Sequence, residues 1–265
     1  MGDPKTLAEF VDHLQASGRY TFTRAEALQT LGLSGTALKN AAWRLTEKGR
    51  VVMPRRGFFV IVPLEYLSAG APPPSWFIDH LMRFQNRPYY VGILSAAALH
   101  GAAHQQPQEF QVVTDKTARV ATAGRARIRF FVKKSVRSTP VIPIKTETGT
   151  MMVSSPEGTA LDLVRYAPRA GFIDNVATVL SELTERIDGK ALVEAAKSEG
   201  ELAHVQRLGY VLDLVGGQEV ATPLQRWVRD QQPRPTPLRP GRGSKGAPKD
   251  DRWNIVVNHD IEIDE

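Results

Sequence analysis

His100 and His104 stand four residues apart, a spacing that on a helix puts two imidazoles on one face and supplies half of a zinc site. The glutamate of a His-Glu-x-x-His motif is missing between them, and no third ligand is evident. Because the chain has no cysteine, thiolate zinc sites, disulfides and cysteine nucleophiles are excluded. Glu157 and Asp162 read as helix-cap and helix-surface charges, and Asp260, Glu262 and Asp264 as the exposed face of a terminal strand. No phosphate-cradling glycine loop, Gly-x-Ser-x-Gly elbow or kinase motif set appears. The residues nominate no enzyme, no metal and no cofactor.

Binding chemistry is better represented. Between Ser34 and about Lys48, Leu38, Ala41, Ala42 and Leu45 fall on one helical face, while Thr36, Lys39, Asn40 and Trp43 fall on the other with Arg44 on the flank. Asparagine pairs with adenine, and lysine or arginine with guanine or phosphate, so such a face is able to read a major groove. Arg24 opens the preceding helix, Ser34 caps this one, and Arg55-Arg56 occupy a tight turn that would bring them to phosphates or a minor groove. Further on, Arg125, Arg127 and Arg129 alternate with apolar residues, as on one face of a strand, and Lys133, Lys134 and Arg137 follow. That strip is a candidate surface for a protein partner, with a solvated sheet face as the bland alternative.

The elements that must position these groups follow from periodicity and punctuation. Leu7, Phe10, Val11 and Leu14 make the stripe of a first helix. Thr23 and Glu26 have capping-box spacing for a second, which ends at Gly32. After the third helix, residues 50–62 read as two strands around Pro54-Arg55-Arg56-Gly57. Three helices and a basic hairpin are the order of a winged helix-turn-helix over residues 1–62. Pro72-Pro73-Pro74 predicts a stiff, extended spacer over 63–74 that leaves two separable domains. In the larger domain, 75–265, helices are expected from Ser75 to Arg83 and over 91–101, then a sheet from 110 to 153. Helices are expected over about 156–166, 172–187, 189–198, 201–215 and 222–231. Five prolines and three glycines make 232–251 a flexible loop, after which the apolar run from Trp253 returns to the sheet. The fold class is therefore α+β: a winged helix-turn-helix plus a larger mixed α/β domain in which a sheet is followed by a helical region.

Charge is distributed unevenly along this frame. Residues 1–62 carry 9 Lys/Arg against 5 Asp/Glu, 63–150 carry 11 against 5, and 151–231 carry 8 against 12. A basic front half suits a polyanionic partner. The start of the chain lacks the pattern of a secretory leader and no apolar run is long enough to span a bilayer, so a cytoplasmic protein without membrane contact is expected.

The sequence resembles the AbiEi antitoxins of abortive-infection toxin–antitoxin systems. The likeness is carried by the wing Arg55-Arg56-Gly57-Phe58-Phe59-Val60, by the run from Tyr90 through Gly101, and by Ser155-Pro156-Glu157-Gly158-Thr159-Ala160-Leu161-Asp162-Leu163. This resemblance implies that the winged helix binds inverted repeats in the operon's own promoter and represses it. It also implies that the larger domain antagonises a nucleotidyltransferase-like toxin, through a complex that need not be stable. With no coiled-coil seam in the chain, a monomer that pairs on DNA is expected. A winged-helix regulator whose larger domain senses a ligand is the alternative.

Overall fold

The computed structural model describes residues 3–102 and 107–263. Its front end follows from local signals. Helices α1 (Leu7–Ala16) and α2 (Arg24–Leu31) each begin with a reciprocal capping box, Thr6 with Glu9 and Thr23 with Glu26, which satisfies otherwise orphaned backbone donors. Gly32, at φ 61° in the left-handed region, closes α2, and the Ser34 hydroxyl accepts the Ala37 N–H at 3.2 Å to start α3 (Gly35–Glu47). Strands β1 (Thr21–Thr23), β2 (Val51–Arg55) and β3 (Phe58–Ile61) form a sheet in the order β1-β3-β2.

All four residues of β3 are buried, and they face two cores. Phe59 and Ile61 pack with Phe10, Phe22 and Leu38 of the winged helix, with the Phe22 and Phe59 rings stacked at 4.9 Å. Phe58 and Val60 instead join Ala71, Ile78, Leu81 and the sheet of the larger domain. The segment 63–74 is accordingly no free spacer. It holds a 3-10 turn at Leu64–Tyr66, a second turn begins at Pro74, and Ala71 is buried. The Arg125 N–H donates to Ala69 O at 2.8 Å, and a Cβ on Gly124 would lie 2.2 Å from that carbonyl oxygen, so only glycine lets the two backbones meet. A hydrogen bond of 2.8 Å between Thr21 Oγ1 and His80 Nδ1 and an edge contact between Tyr20 and Trp76 add to the junction.

The larger unit is three-layered. Its central sheet contains β4 (Tyr89–Val91), β5 (Phe110–Thr114), β6 (Ala121–Ala123), β7 (Ala126–Val132), β8 (Val141–Thr146) and β9 (Gly149–Ser154), ordered β6-β7-β5-β4-β9-β8. The pairs β5/β7 and β4/β9 are parallel and the others antiparallel. One face meets α4 (Ile78–Phe84) and the wing. The other meets α5 (Ile93–Leu99) and α6 (Pro156–Arg165), on which α7 (Phe172–Leu183), α8 (Gly189–Glu199), α9 (Leu202–Leu214) and α10 (Gln218–Asp230) build the rest of the helical core. The helix expected over 91–101 is thus a strand, Tyr89–Val91, followed by α5; Tyr90 and Val91 pair with Val113 and Val112 instead of continuing a helical turn.

The prolines of 232–251 do not make a loose loop. Strands β10 (Thr236–Pro237), β11 (Lys249–Asp250) and β12 (Ile255–Val256) form their own sheet in the order β10-β12-β11 beside α9, so the returning run does not join the central sheet. Prolines give the segment few N–H donors for its own carbonyls, and α9 supplies donors instead: Gln206 Nε2 reaches Trp253 O at 2.9 Å and Arg234 O at 3.0 Å, and Arg207 Nε reaches Pro237 O at 2.9 Å. Leu238, Trp253 and Ile255 enter the helical core. No strand forms over 259–263, where Asp174 instead accepts the Glu262 N–H at 3.1 Å.

Candidate nucleic-acid interface

Leu38, Ala42 and Leu45 turn α3 inward, which leaves Thr36, Lys39, Asn40, Trp43 and Arg44 on its exposed side. Trp43 is 63% exposed and so does not fill a core. Arg24 lies over the first turn of α3, where a Cβ on Gly35 would meet its Nη2 at 2.7 Å. Ser34 is exposed, with its oxygen engaged in the cap.

The two wing arginines part company. Arg56 is exposed beside Gly57, whose φ of 85° makes the tight turn. Arg55 turns toward the larger unit: it donates to Val120 O at 3.1 Å and to Arg119 O, and it stacks over the Phe130 ring at 5.4 Å. Burial, helped by nearby Arg87, lowers its pKa from the ordinary arginine value. The residue assigned from sequence to a nucleic-acid contact therefore anchors the wing to the sheet. Between α3, the wing and β6 lies a groove of about 710 Å³, with Lys39, Trp43 and Arg56 along it and Thr122 on its far wall. A second hollow beside the wing gathers Arg56, Arg87 and Arg119, which extends the basic surface past the winged helix.

The basic strip of the larger unit is not one surface. Arg127 and Arg129 both clasp Glu109, with Arg127 Nε at 3.2 Å and Arg129 Nη2 at 2.9 Å, so their charges are partly compensated. Arg125, Lys134 and Arg137 are exposed, but Arg125 and Lys134 flank opposite ends of β7. Lys133 does not belong to the surface at all, being 1% exposed, with Nζ 2.9 Å from Asp162 Oδ1 and 2.9 Å from Glu199 Oε2. Burial works against its charge, but the two carboxylates outweigh it and hold its pKa above the ordinary value.

Sequence reasoning misses the place of these acids. Asp162 is fully buried, not a helix-surface charge. Glu157, also buried, accepts the Ser155 hydroxyl at 2.7 Å and the Asp188 N–H at 3.0 Å. The one signal for Asp162 is composition: it stands in Thr159-Ala160-Leu161-Asp162-Leu163-Val164, apolar on nearly every side. His100 donates from Nε2 to Ser154 O at 2.8 Å, and its sequence partner His104 lies outside the described residues. Among the described residues no helix is long and apolar enough to cross a membrane.

Comparison with known proteins adds what geometry cannot. Residues 9–62 match a family model described as a transcriptional regulator, AbiEi antitoxin, and residues 90–214 match the AbiEi antitoxin C-terminal domain. No curated protein matches the chain. Among solved structures, the Rv2827c protein from Mycobacterium tuberculosis shares the fold, with a TM-score of 0.66 at 16% identity over 96% of this chain and 92% of that one. A regulator segment and an antitoxin segment, in the order the winged helix and the larger unit take in the structure, match models of one family: the chain belongs to the AbiEi antitoxins.

Proposed function

We propose that the protein represses its own promoter through the exposed side of α3 and the wing, and antagonises a nucleotidyltransferase-like toxin through its larger unit. The observation that carries the first half is the presentation of Thr36, Lys39, Asn40, Trp43 and Arg44 to solvent next to Arg56, since a helix with free polar side chains beside a basic hairpin suits a major groove flanked by phosphates. Arg24, which lines the groove, and Ser34, exposed at the start of α3, add phosphate contacts in this reading. Inverted repeats would take two copies, and the protein is a monomer that pairs on the operator.

The test is binding of the full chain to its upstream promoter DNA and to a scrambled duplex, followed by fluorescence anisotropy at several salt concentrations. Preference for the promoter, lowered by about 1–3 kcal/mol when Asn40 is changed to alanine, supports base reading. Equal affinity for both duplexes at physiological salt removes the sequence-specific role. Light scattering of the free protein, showing a stable dimer at micromolar concentration, would refute pairing on DNA. The antagonist half is tested by co-expression with the toxin-like neighbour, scored as growth.

A further inference from the structure

The Pro-rich strap and the helical layer enclose a cleft that the proposed function leaves unused. Its volume is about 590 Å³, within the range of small-molecule sites, and its floor is apolar, with Val164, Ile173 and Leu238. Arg207, Arg239 and Arg242 line the same cleft, and among the described residues none of the three forms a salt bridge with a carboxylate. Arg207 uses one donor on Pro237 O, Arg242 donates to His259 Nδ1 at 2.8 Å, and Arg239 lies over the Phe172 ring at 5.2 Å. A guanidinium carries five donors, so most remain for a ligand. The neighbouring Arg165 is already committed, to Glu199 and Glu201.

Phe172 is the second pointer. It lines the cleft at 49% exposure, and it holds φ at 66°, directly after Gly171 at 82°. A bulky residue in the left-handed region is strained, and this one leaves its ring half-exposed under the Arg239 guanidinium instead of in the core. Burial also lowers the Arg207 pKa, with Glu201 only partly opposing, a cost that an incoming anion would relieve.

We infer that this cleft binds a nucleotide, with the phosphates on Arg207, Arg239 and Arg242 and the base stacked at Phe172 and the Arg239 guanidinium. Three converging cations around a compact apolar floor suit a ligand with a concentrated negative end and a flat ring. A volume of about 590 Å³ matches one compact small molecule.

The experiment is calorimetric titration of the full chain with ATP, GTP, CTP and UTP, and separately with pyrophosphate. Saturable binding of at least one nucleotide is expected, weakened tenfold or more by Arg239→Ala with Arg242→Ala. Phe172→Ala should weaken nucleotide binding and leave pyrophosphate binding nearly unchanged. Arg242→Glu alone, on the exposed strap, repeats the test if the double variant fails to fold. The Lys39→Ala, Arg56→Ala double variant should bind as well as wild type, which separates this site from the DNA face. No saturable binding by folded protein overturns the proposal. So does binding that follows Lys39 and Arg56 instead of the cleft, or nucleotide binding no tighter than that of pyrophosphate and insensitive to Phe172.

Discussion

Lys133 Nζ and Asp162 Oδ1 stand 2.9 Å apart with both side chains closed to water, and Lys133 is held equally by Glu199 on α8. The pair therefore ties the end of β7 to α6 and α8. Removing one member of such a pair leaves a charge buried without compensation, a loss of about 3–5 kcal/mol. Lys133→Met should accordingly lower the denaturation midpoint sharply, whereas Lys134→Met, one residue along and exposed, should leave it nearly unchanged. Equal midpoints for the two variants would contradict the buried pairing.

Glu199 gives this cluster a pH signature. Burial pushes its carboxyl upward, but His204, Lys133 and Arg165 prevail and hold it at about 2, below the ordinary 4.5. A depressed folded pKa stabilises the protein above the unfolded value, and that contribution disappears as pH falls from about 4.5 toward about 2. Asp162 runs in the opposite sense, because burial raises it despite Lys133. The quantity to follow is thus the stability difference between wild type and Glu199→Gln, by chemical denaturation at stepped pH. It should be largest above pH 4.5 and shrink below it; a constant difference from pH 6 to pH 3 would reject the assignment.

What can be read from sequence divides along physical lines. Helices α1 to α3 announce themselves because capping boxes and i, i+3, i+4 stripes are local. The destination of Lys133 is not local: its partners lie 29 and 66 positions away, and charge alone says only that a lysine prefers water unless paired. The strap escapes a sequence reading for a related reason, since proline content reports missing donors and says nothing of Gln206 and Arg207, which supply donors from α9. One further signal is legible. Phe58-Phe59-Val60-Ile61-Val62 is apolar without alternation, the mark of a strand covered on both faces, and that is how the wing comes to be fused with the larger unit.

Gly209 and Trp253 offer a reversed expectation. In a helix interior alanine normally exceeds glycine by about 0.5–1 kcal/mol. Here a Cβ on Gly209 would lie 2.1 Å from Trp253 Cζ3, and the indole is fixed by Nε1 donating to Asp213 Oδ2 at 2.6 Å. Gly209→Ala should therefore destabilise and release the strap, seen as a red-shifted tryptophan emission and faster proteolysis within 232–258. A stabilised variant with unchanged emission would show that the strap is not seated on α9.

Arg55 and Arg56 are neighbours with different expected phenotypes. Arg56→Ala should weaken binding to any duplex and flatten the salt dependence by about 0.9 log units per log unit of salt, the effect of leaving one phosphate unneutralised. Arg55→Ala removes the links to Val120 O, Arg119 O and Phe130, so it should lower stability and loosen the wing more than it changes the salt slope. Anisotropy titrations of both variants between low and physiological salt, beside their melting curves, decide the matter. Identical slopes and identical stabilities would erase the distinction.

Toxin antagonism is best probed without cutting the chain, because Phe58 and Val60 complete the core around Ile78 and Leu81, and a fragment beginning at residue 75 would expose that core. Reversing Arg127 and Arg129 is equally ambiguous, since two new acids would face Glu109 and disturb β7 itself. The exposed cations Lys134 and Arg137 avoid both difficulties. Charges of this kind mainly accelerate and orient encounter with an acidic surface. Lys134→Glu with Arg137→Glu should therefore reduce growth rescue when the toxin is co-expressed, while a promoter reporter stays repressed. Loss of both functions would signal misfolding and is checked against the melting curve. Full rescue by a stable, repressing variant would show that this end of the sheet is only solvated surface, and would move the search for the toxin-binding face elsewhere on the larger unit.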